Sequence, residues 1–291
     1  MPKLNVKQNN SNVIKAFQVA LETGHRNLLD NPWWGSGEVV NQRRITGTPA
    51  NQAYCIDRWI YSTGSGSNAI SLGANGITFT PVSGQYMWMN QHMANASWFT
   101  GKTVTGSIML ADGTIYSGTV KVTTGNDYMY FNDSVGFRFY WDTSNNVVLR
   151  VGTTKTIRAL KVELGSYSTL ANDVPQNDEL ECLKYQELIQ NVAYNYIPIG
   201  FGAFAGGNTI RMFIPTSVPM NAASLHAFVP ITGSASVAGN GTTTSVASIT
   251  LVGVLRTGVY VNVNLNSATT TGHTYSLMLG DGASILIDCN L

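Results

Sequence analysis

Charged residues are scarce in this 291-residue chain, since Asp, Glu, Lys and Arg together make up only 11% of it. The 17 Lys and Arg residues nearly balance the 16 Asp and Glu residues, which leaves a net charge of +1. A protein that neutralises a phosphate backbone needs a clear basic excess. The composition therefore predicts that nucleic acid is not a partner.

Cysteine is also rare, and no two cysteines form a CxxC pair. Cys55, Cys182 and Cys289 are far apart and odd in number, which is typical neither of a zinc site nor of a disulfide framework. We expect three free thiols that are mostly buried.

A long apolar run is missing as well. The N-terminal stretch MPKLNVKQNNSN is polar and lacks the apolar region of a signal peptide. The uncharged stretch from Asn191 to Ile210 is interrupted by Asn195, Pro198 and several glycines, so it does not form an apolar span. The sequence predicts no membrane insertion and synthesis in a cytoplasm without secretion.

Recognisable catalytic motifs are absent from the sequence. It contains no GxSxG, HExxH or phosphate-loop pattern, and none of its four histidines lies two or four residues from another. The carboxylates of residues 27–176 fall largely in turns, where Asp binds nearby backbone amides. We predict that the chain is not an enzyme; an esterase or glycosidase acting on capsule is the minor alternative.

Alternating strands are what the sequence has in abundance. In WFTGKTVTGSIML, Val104, Gly106, Ile108 and Leu110 alternate with polar residues and Met109, and ALKVEL repeats the pattern with Leu160, Val162 and Leu164. Similar strand candidates, separated by turn clusters such as LADGT and DTSNN, fill residues 27–174. An antiparallel sandwich is predicted there.

The chain divides into four parts on these patterns. Residues 1–26 form an attachment segment with a short helix at 11–24, residues 27–176 a β-sandwich, 177–192 a linker helix and 193–291 a second β domain. The linker helix is predicted from the 3, 4, 3 spacing of Cys182, Tyr185, Ile189 and Val192. The second domain is best seen in VYVNVNL, residues 259–265. The fold class is mainly β, with two antiparallel sandwich domains.

Charge is lowest in the last part of the chain. Residues 193–291 contain only four charged side chains, Arg211, Arg256, Asp281 and Asp288. A monomer rarely leaves large apolar patches bare. We therefore expect the outer face of this domain to be buried between copies in a symmetric homo-oligomer.

Five short signatures occur in order along the chain: NLLDNPWW from Asn27, YCIDRW ending at Trp59, WFTGKTVTGSIML from Trp98, ALKVELGSYSTLAND from Ala159 and ECLKYQ from Glu181. Together they resemble the tail-fibre and virion-surface proteins of bacteriophages and prophages. NLLDNPWW and VELGSYSTL resemble the first and last strands of the jelly-roll sandwich in carbohydrate-binding modules.

The resemblance implies a jelly-roll-like sandwich, a virion location, a homotrimer and attachment to other virion proteins through the N-terminal segment. It implies no organic cofactor. It allows a structural calcium ion, for which Asp30 and Asp173 are the candidate ligands.

Aromatic residues are the remaining candidates for a ligand-binding site. In DYMYFNDSVGFRFYW, Phe137, Phe139 and Trp141 share one strand face and suit the core, as do Trp59, Trp98 and Phe99 elsewhere. Sugars stack their C–H faces on exposed rings beside polar groups. The predicted glycan-binding residues are Tyr128, Tyr130, Arg138 and Tyr140, which alternation places opposite the core face, together with Trp88 of YMWMNQ. The alternative is that the whole aromatic set forms core and subunit interface.

Two functions of different classes remain on these grounds. One is a non-enzymatic phage adhesin that contacts a host-surface glycan, where weak sites gain avidity by multivalence. The other is a purely structural virion component, such as a head fibre, decoration protein or tail adaptor, without a ligand.

Overall fold

The computed structural model describes residues 26–93, 96–192, 195–220, 231–239, 241–267 and 273–289. The contacts within the chain separate two compact units. Within the described ranges, the first unit comprises residues up to Val39, Thr46–Cys55 and Trp59–Gln176. The second comprises Val40–Ile45, Ile56–Arg58 and the residues from Asn177 onward. The helix predicted at 11–24 lies outside the described residues.

The described residues of the first unit form eleven strands in two antiparallel sheets. The six-stranded sheet has the order β1-β2-β5-β10-β9-β8, and the five-stranded sheet has the order β3-β4-β11-β6-β7. Short 3-10 turns occur at Ala96–Phe99 and Leu170–Asn172. The strands are β1 (Ala53–Ile56), β2 (Trp59–Thr63), β3 (Ala69–Gly73), β4 (Gly76–Thr80), β5 (Met87–His92), β6 (Thr103–Leu110), β7 (Ile115–Lys121), β8 (Asp127–Asn132), β9 (Phe137–Trp141), β10 (Asn146–Val151) and β11 (Lys155–Leu164).

The predicted alternation on β6 and β11 is confirmed. The two strands are antiparallel neighbours, with Leu160 opposite Ile108 and Val162 opposite Gly106. Leu160, Ile108 and Val162 are fully buried, because they point toward the interior between the sheets. The period-2 pattern therefore identified the core face of this sheet.

Tryptophans fill much of the core of the first unit. Trp34 and Trp59 are fully buried and meet edge to face with ring centroids 5.1 Å apart, a favoured aromatic geometry. The buried indole of Trp59 donates to the backbone carbonyls of Asp30 and Asn31 at 3.1 and 3.0 Å. The indole N–H is therefore hydrogen-bonded within the protein and needs no water molecule.

Trp98 was predicted in the core, and this is wrong. Its side chain is 53% exposed, with the Lys102 ammonium 4.0 Å from the ring centroid. Phe99 takes the core position and packs on Trp141 at 5.2 Å. Both aromatic residues lie in the 3-10 turn Ala96–Phe99, in which Phe99 is buried and Trp98 is not.

The outer face of β11 is covered rather than exposed. Lys161 and Glu163 are buried there, and the Lys161 ammonium donates to Asp173 Oδ2 at 2.6 Å and to Thr169 Oγ1 at 2.7 Å. Glu163 accepts from the backbone and hydroxyl of Thr169, both at 2.8 Å. Hydrogen bonds from the buried charged groups of Lys161 and Glu163 thus hold residues 165–173 against the sheet.

The described residues of the second unit form one short helix and nine strands. Strands β13-β14-β18-β17-β16-β19 close into a barrel, and β12-β20-β15 form a separate three-stranded sheet. The elements are α1 (Glu179–Leu183), β12 (Gln186–Gln190), β13 (Ile197–Gly206), β14 (Thr209–Pro215), β15 (Ile231–Thr232), β16 (Ala235–Gly239), β17 (Thr242–Leu255), β18 (Gly258–Leu265), β19 (Thr274–Leu279) and β20 (Ser284–Asp288).

The antiparallel β architecture of this unit is as predicted, but its strands close into a barrel where the sequence suggested an open sandwich. β17 is 14 residues long and pairs with both β18 and β16. Its register against β18 shifts twice, between Val246 and Ser248 and between Leu251 and Gly253. Such bulges bend a strand and help a sheet to close.

The helix predicted over 177–192 is confined to Glu179–Leu183, and Gln186–Gln190 form a strand. β12 pairs with β20, with Leu188 opposite Leu286. Val192, the last residue of the helical pattern, is 79% exposed. Pairing with a strand about 100 residues later in the sequence has overridden the local periodicity. In the described part of the chain, no helix is long and apolar enough to cross a bilayer.

The barrel core comes from the predicted alternation of β18. Val259, Val261 and Val263 are fully buried. On the outside, Phe201, Phe213 and Tyr260 stand in register on β13, β14 and β18, with centroids 6.1 and 5.3 Å apart. Phe201 is 58% exposed and Tyr260 40%. We call these three residues the barrel stripe.

The three cysteines form no disulfide and are buried, as predicted. Burial raises the pKa of the Cys55 thiol to about 12 and that of Cys289 to about 11. The reactive thiolate is therefore suppressed at both positions.

Candidate functional site

The outer face of the six-stranded sheet brings together side chains from four neighbouring strands. Trp88 of β5 is opposite Arg150 of β10, Arg150 is opposite Arg138 of β9, and Arg138 is opposite Phe131 of β8. Directly paired residues point to the same side of a sheet. These four side chains therefore form one row across the face.

A second row runs parallel to the first. It contains Asn90, Val148, Tyr140 and Tyr128, again paired residue by residue. The rings of Tyr128 and Tyr140 are 5.0 Å apart, and Phe131 of the first row meets Tyr128 edge to face at 5.4 Å. The two rows are therefore joined into one aromatic surface.

The arginines of this surface are held in place by a carboxylate and by rings. Asp133 accepts two hydrogen bonds from Arg138, at 2.9 and 2.6 Å, and one from Arg150 at 3.3 Å. Arg138 lies over Phe131 at 4.4 Å and Arg150 over Tyr86 at 3.8 Å. The hydrogen bond from Arg138 lowers the pKa of Asp133, so that carboxylate is charged at neutral pH.

We call this surface the aromatic–arginine face. Its rings and guanidinium groups are fixed by stacking and ion pairing, so they are preorganised. Two arginines against one aspartate leave it with a net positive charge. It consists of Tyr86, Trp88, Tyr128, Phe131, Asp133, Arg138, Tyr140 and Arg150.

Tyr130 was predicted on this face, and the register contradicts that placement. The pairing of β8 with β9 shifts between Tyr128 and Tyr130, so Tyr130 lies opposite Phe139 rather than on the side of Tyr128. Its ring packs on Tyr116 of β7 at 5.5 Å. Phe131, which is 55% exposed, takes the outer position. The extra residue of a β-bulge reverses the faces of all positions beyond it.

Trp88, Tyr128, Arg138 and Tyr140 lie together on this face; alternation predicted the positions of Tyr128, Arg138 and Tyr140, but not that of Trp88. Sequence reasoning missed Tyr86, Phe131 and Arg150. Arg150 had a usable signal, because it alternates with Leu149 and Val151, which are both fully buried. Phe131 had no such signal, since its orientation depends on the bulge.

Polar groups with free hydrogen-bonding capacity lie within the second row. The Oδ1 atom of Asn90 is buried without a hydrogen-bond partner among the described residues. Burial raises the pKa of Tyr140 above its ordinary value of 10.0, so the phenol keeps its proton. A ligand hydroxyl can donate to Asn90 or exchange hydrogen bonds with the phenol.

The predicted turn role is confirmed for three carboxylates, whereas Asp57, Asp133 and Glu163 bind other side chains. Asp112 accepts from the amide of Thr114 at 2.9 Å, Asp127 from that of Thr123 at 2.6 Å and Asp142 from that of Ser144 at 2.8 Å. These groups stabilise local backbone and are not paired across a cleft.

The candidate calcium ligands are not gathered into a cation site. Asp173 binds the Lys161 ammonium, and the backbone of Asp30 exchanges hydrogen bonds with Gln91, both at 2.8 Å. Among the described residues, no group of three His, Cys, Asp or Glu side chains is placed to hold a metal. The Lys161 ammonium already supplies a positive charge to Asp173.

The aromatic–arginine face can stack apolar surfaces and donate charged hydrogen bonds. These are the properties of a binding surface for rings that have polar edges. Comparison of the chain with protein-family models, with curated proteins and with solved structures gives no match.

Proposed function

We propose that this chain is a non-enzymatic phage virion protein, a tail fibre or adhesin, that contacts host-surface glycans through the aromatic–arginine face. The observation that supports the proposal is the in-register row of Trp88, Arg150, Arg138 and Phe131 beside Tyr128 and Tyr140. A two-sheet sandwich with such a face suits a jelly-roll-like carbohydrate module. The virion assignment depends on the sequence resemblance.

The chemistry of the face favours sugars with polar or acidic substituents. The exposed rings offer surfaces for C–H stacking, and the guanidinium groups offer planar, charged donors to hydroxyl and carboxylate oxygens. A flat face across several strands can also follow an extended chain of sugar units. We propose an acidic surface polysaccharide as the preferred ligand class.

Retention on immobilised bacterial surface polysaccharides tests this function. The full-length chain is passed over acidic and neutral polysaccharides, and soluble polysaccharide is used as competitor. We expect retention on acidic polymers that weakens as salt is added, because exposed charge contacts are screened. The adhesin assignment is ruled out if the folded chain is retained on none of the polymers, or if soluble polysaccharide never reduces its retention.

Self-association is the second element of the proposal. The barrel stripe exposes aromatic rings on a part of the chain with only four charged residues in 193–291. A second copy of the chain is the partner that matches such a charge-poor surface, and the resemblance suggests three copies. Mass determination in solution tests it, with a trimer expected and a stable monomer contradicting it.

A purely structural virion component is the alternative function, and the same barrel stripe favours it. Subunit packing needs no ligand, so a head fibre, decoration protein or adaptor would also use that surface. Immunogold labelling of intact particles separates the two. Label at the tail tip supports the adhesin, whereas label on the capsid supports the structural role.

A further inference from the structure

A cavity lies on one face of the three-stranded sheet of the second unit, outside the surface described above. The sheet places Gln190 opposite Ser284 and Ser284 opposite Thr232, and the neighbouring row pairs Leu188 with Leu286. These residues line the cavity together with Arg43 and Arg44. It therefore has an apolar floor and polar groups at both ends.

Residues 41–45 form the basic end of the cavity and are anchored by their own side chains. Asn41 accepts from the Ile45 amide at 3.1 Å and donates to the Ile45 carbonyl at 2.7 Å. Gln42 accepts from the Leu188 amide at 3.1 Å and donates to the carbonyl of Gln186 at 3.0 Å. The segment is thus fixed against the edge of β12 before any ligand arrives.

The two arginines of this segment have different roles. Arg43 donates to Gln186 Oε1 at 3.2 and 3.1 Å and pairs with Asp288. Arg44 is exposed, has no ion-pair partner among the described residues, and lines the cavity. Asp288 balances the charge of Arg43, so Arg44 supplies the net positive charge available to a ligand.

Gln190 marks the opposite end. Its Oε1 atom is buried and has no hydrogen-bond partner among the described residues. A buried acceptor without a donor is unfavourable, and a ligand hydroxyl placed in the cavity would satisfy it. The hydroxyls of Ser284 and Thr232 lie in the same row and can both donate and accept.

We propose that this cavity binds a uronic acid, with the sugar carboxylate on Arg44, a ring hydroxyl donating to Gln190 Oε1 and the C–H face of the ring on Leu188 and Leu286. Each part of the ligand matches one part of the cavity. A neutral hexose lacks the group for Arg44, and an inorganic anion lacks the apolar face. The site is separate from the aromatic–arginine face and does not depend on the function proposed for it.

Calorimetric titration of the full chain with glucuronate, glucose and acetate tests the proposal. We expect saturable binding of glucuronate with a dissociation constant of about 1 mM or tighter, and binding of glucose and acetate that is weaker by roughly tenfold or more, about the effect of losing one charged hydrogen bond. Absence of glucuronate binding, or equal binding of glucose, overturns it. The natural ligand can be a free sugar or a polymer, and titration with a glucuronate-containing oligosaccharide distinguishes the two. A polymer is indicated if the oligosaccharide binds at least as tightly as the monomer, and a free sugar if it binds more weakly.

Two variants locate the binding. Arg44 has a φ of 54°, a left-handed conformation that Asn tolerates, so Arg44→Asn removes the guanidinium and keeps the backbone. Arg256→Asn, at an exposed position in the same unit, is the matched control for lost charge. We expect at least roughly tenfold weaker glucuronate binding for Arg44→Asn and no change for Arg256→Asn.

The aromatic–arginine face is excluded by a third variant. Tyr140→Ala is expected to bind glucuronate as the unaltered chain does, whatever its effect on polysaccharide retention. Unchanged binding by Arg44→Asn, or loss of binding in Tyr140→Ala with a native thermal transition, contradicts the cavity assignment. Failure of polysaccharide retention alone leaves the calorimetric result standing, so the two proposals can fail separately.

Discussion

Gly118 of β7 lies directly against the backbone of Met129 in β8: a Cβ atom at Gly118 would be 1.9 Å from the Met129 carbonyl oxygen. Gly106, its cross-strand partner, would place a Cβ 2.7 Å from the Met129 side chain. Met129 is the residue at which the β8 register shifts, and it is buried. Two paired glycines therefore make room for the bulge that turns Phe131 outward.

Replacement of Gly118 by Ala is expected to destabilise the first unit. The obstructing atom belongs to the backbone and cannot rotate away, so we expect a loss of about 1–3 kcal/mol in the free energy of unfolding. Thermal denaturation measures it. Gly73→Ala is the control, because its nearest contact is 3.7 Å away; equal loss in both variants would contradict the close-approach argument.

Tyr140→Ala and Trp88→Ala are each expected to weaken retention on acidic polysaccharide, because each removes a ring of the aromatic–arginine face. A base stacked on an aromatic side chain is worth roughly 1–3 kcal/mol, and at the same value for a sugar ring we expect about 5- to 160-fold weaker binding. Affinity chromatography and titration measure it.

Tyr130→Phe is the matched control for these variants. It alters an aromatic residue of the same hairpin that lies on the other side of β8. We expect unchanged retention, and a loss equal to that of Tyr140→Ala would show that ligand does not bind to the outer face. The thermal transition of each variant separates loss of binding from loss of folding.

Asp57 is expected to make the second unit less stable as the pH rises from about 4 to 6. Burial raises its pKa from 3.8 to about 6; Asp288 adds to the rise, while hydrogen bonds from Gln42 and the charge of Arg43 oppose it. Between these values the folded chain binds more protons than the unfolded chain, so stability is greatest below the lower pKa and falls until the upper one.

The size of this effect is on the order of 3 kcal/mol, at 1.36 kcal/mol for each unit of pKa. Denaturant unfolding at a series of pH values measures it, and Asp57→Asn should flatten the slope in that window. Asp112→Asn, in an exposed turn where a backbone hydrogen bond from Thr114 lowers the pKa, should leave the slope in place. If the free energy of unfolding of Asp57→Asn depends on pH as steeply as that of the unaltered chain, the pH dependence comes from another group.

Phe201→Lys is expected to separate the copies of a self-associated chain. The residue is 58% exposed in the barrel stripe, so the change places a charge on the surface without disturbing the core. Light scattering should show the mass of a single chain. Val192→Lys adds the same charge at a residue that is 79% exposed and outside the barrel strands, and it should keep the assembled mass.

Thiol reagents are expected to leave the native chain unmodified. Cys55, Cys182 and Cys289 are buried, and burial raises the pKa of Cys55 and Cys289. Mass spectrometry after alkylation should find no adduct in buffer and three adducts in denaturant. Rapid labelling of the folded chain would mean that the segment around one of these thiols opens readily.

The sequence pattern correctly predicted those features of the fold that depend only on residues close together in the chain. The buried faces of β6, β9, β11 and β18 follow from period-2 alternation, and so do the outer positions of Arg138 and Tyr140. The positions that the sequence did not reveal depend on distant pairing. Tyr130 was misplaced because of a bulge beside two glycines of other strands, and the strand Gln186–Gln190 depends on β20.

The sequence did not reveal the cavity in the second unit either, because its residues are distant from one another in the chain. Arg43 and Arg44 lie between signatures of the first unit in the sequence, but their segment, Val40–Ile45, belongs to the second unit. Nothing in the spacing of residues indicates that Arg44 lies beside Gln190 and Ser284. Only the fold brings these polar groups together.

The ring of strands in the second unit has a consequence for how copies can join. Within the described residues each of the six strands pairs with two others, but β17 pairs with β16 only up to Ser245 and with β18 alone from Val246 onward. The second half of β17 is therefore the part of the barrel at which a neighbouring molecule could add a strand. Along the fully paired strands, copies can join only through side chains, which surface substitutions can change without breaking backbone hydrogen bonds.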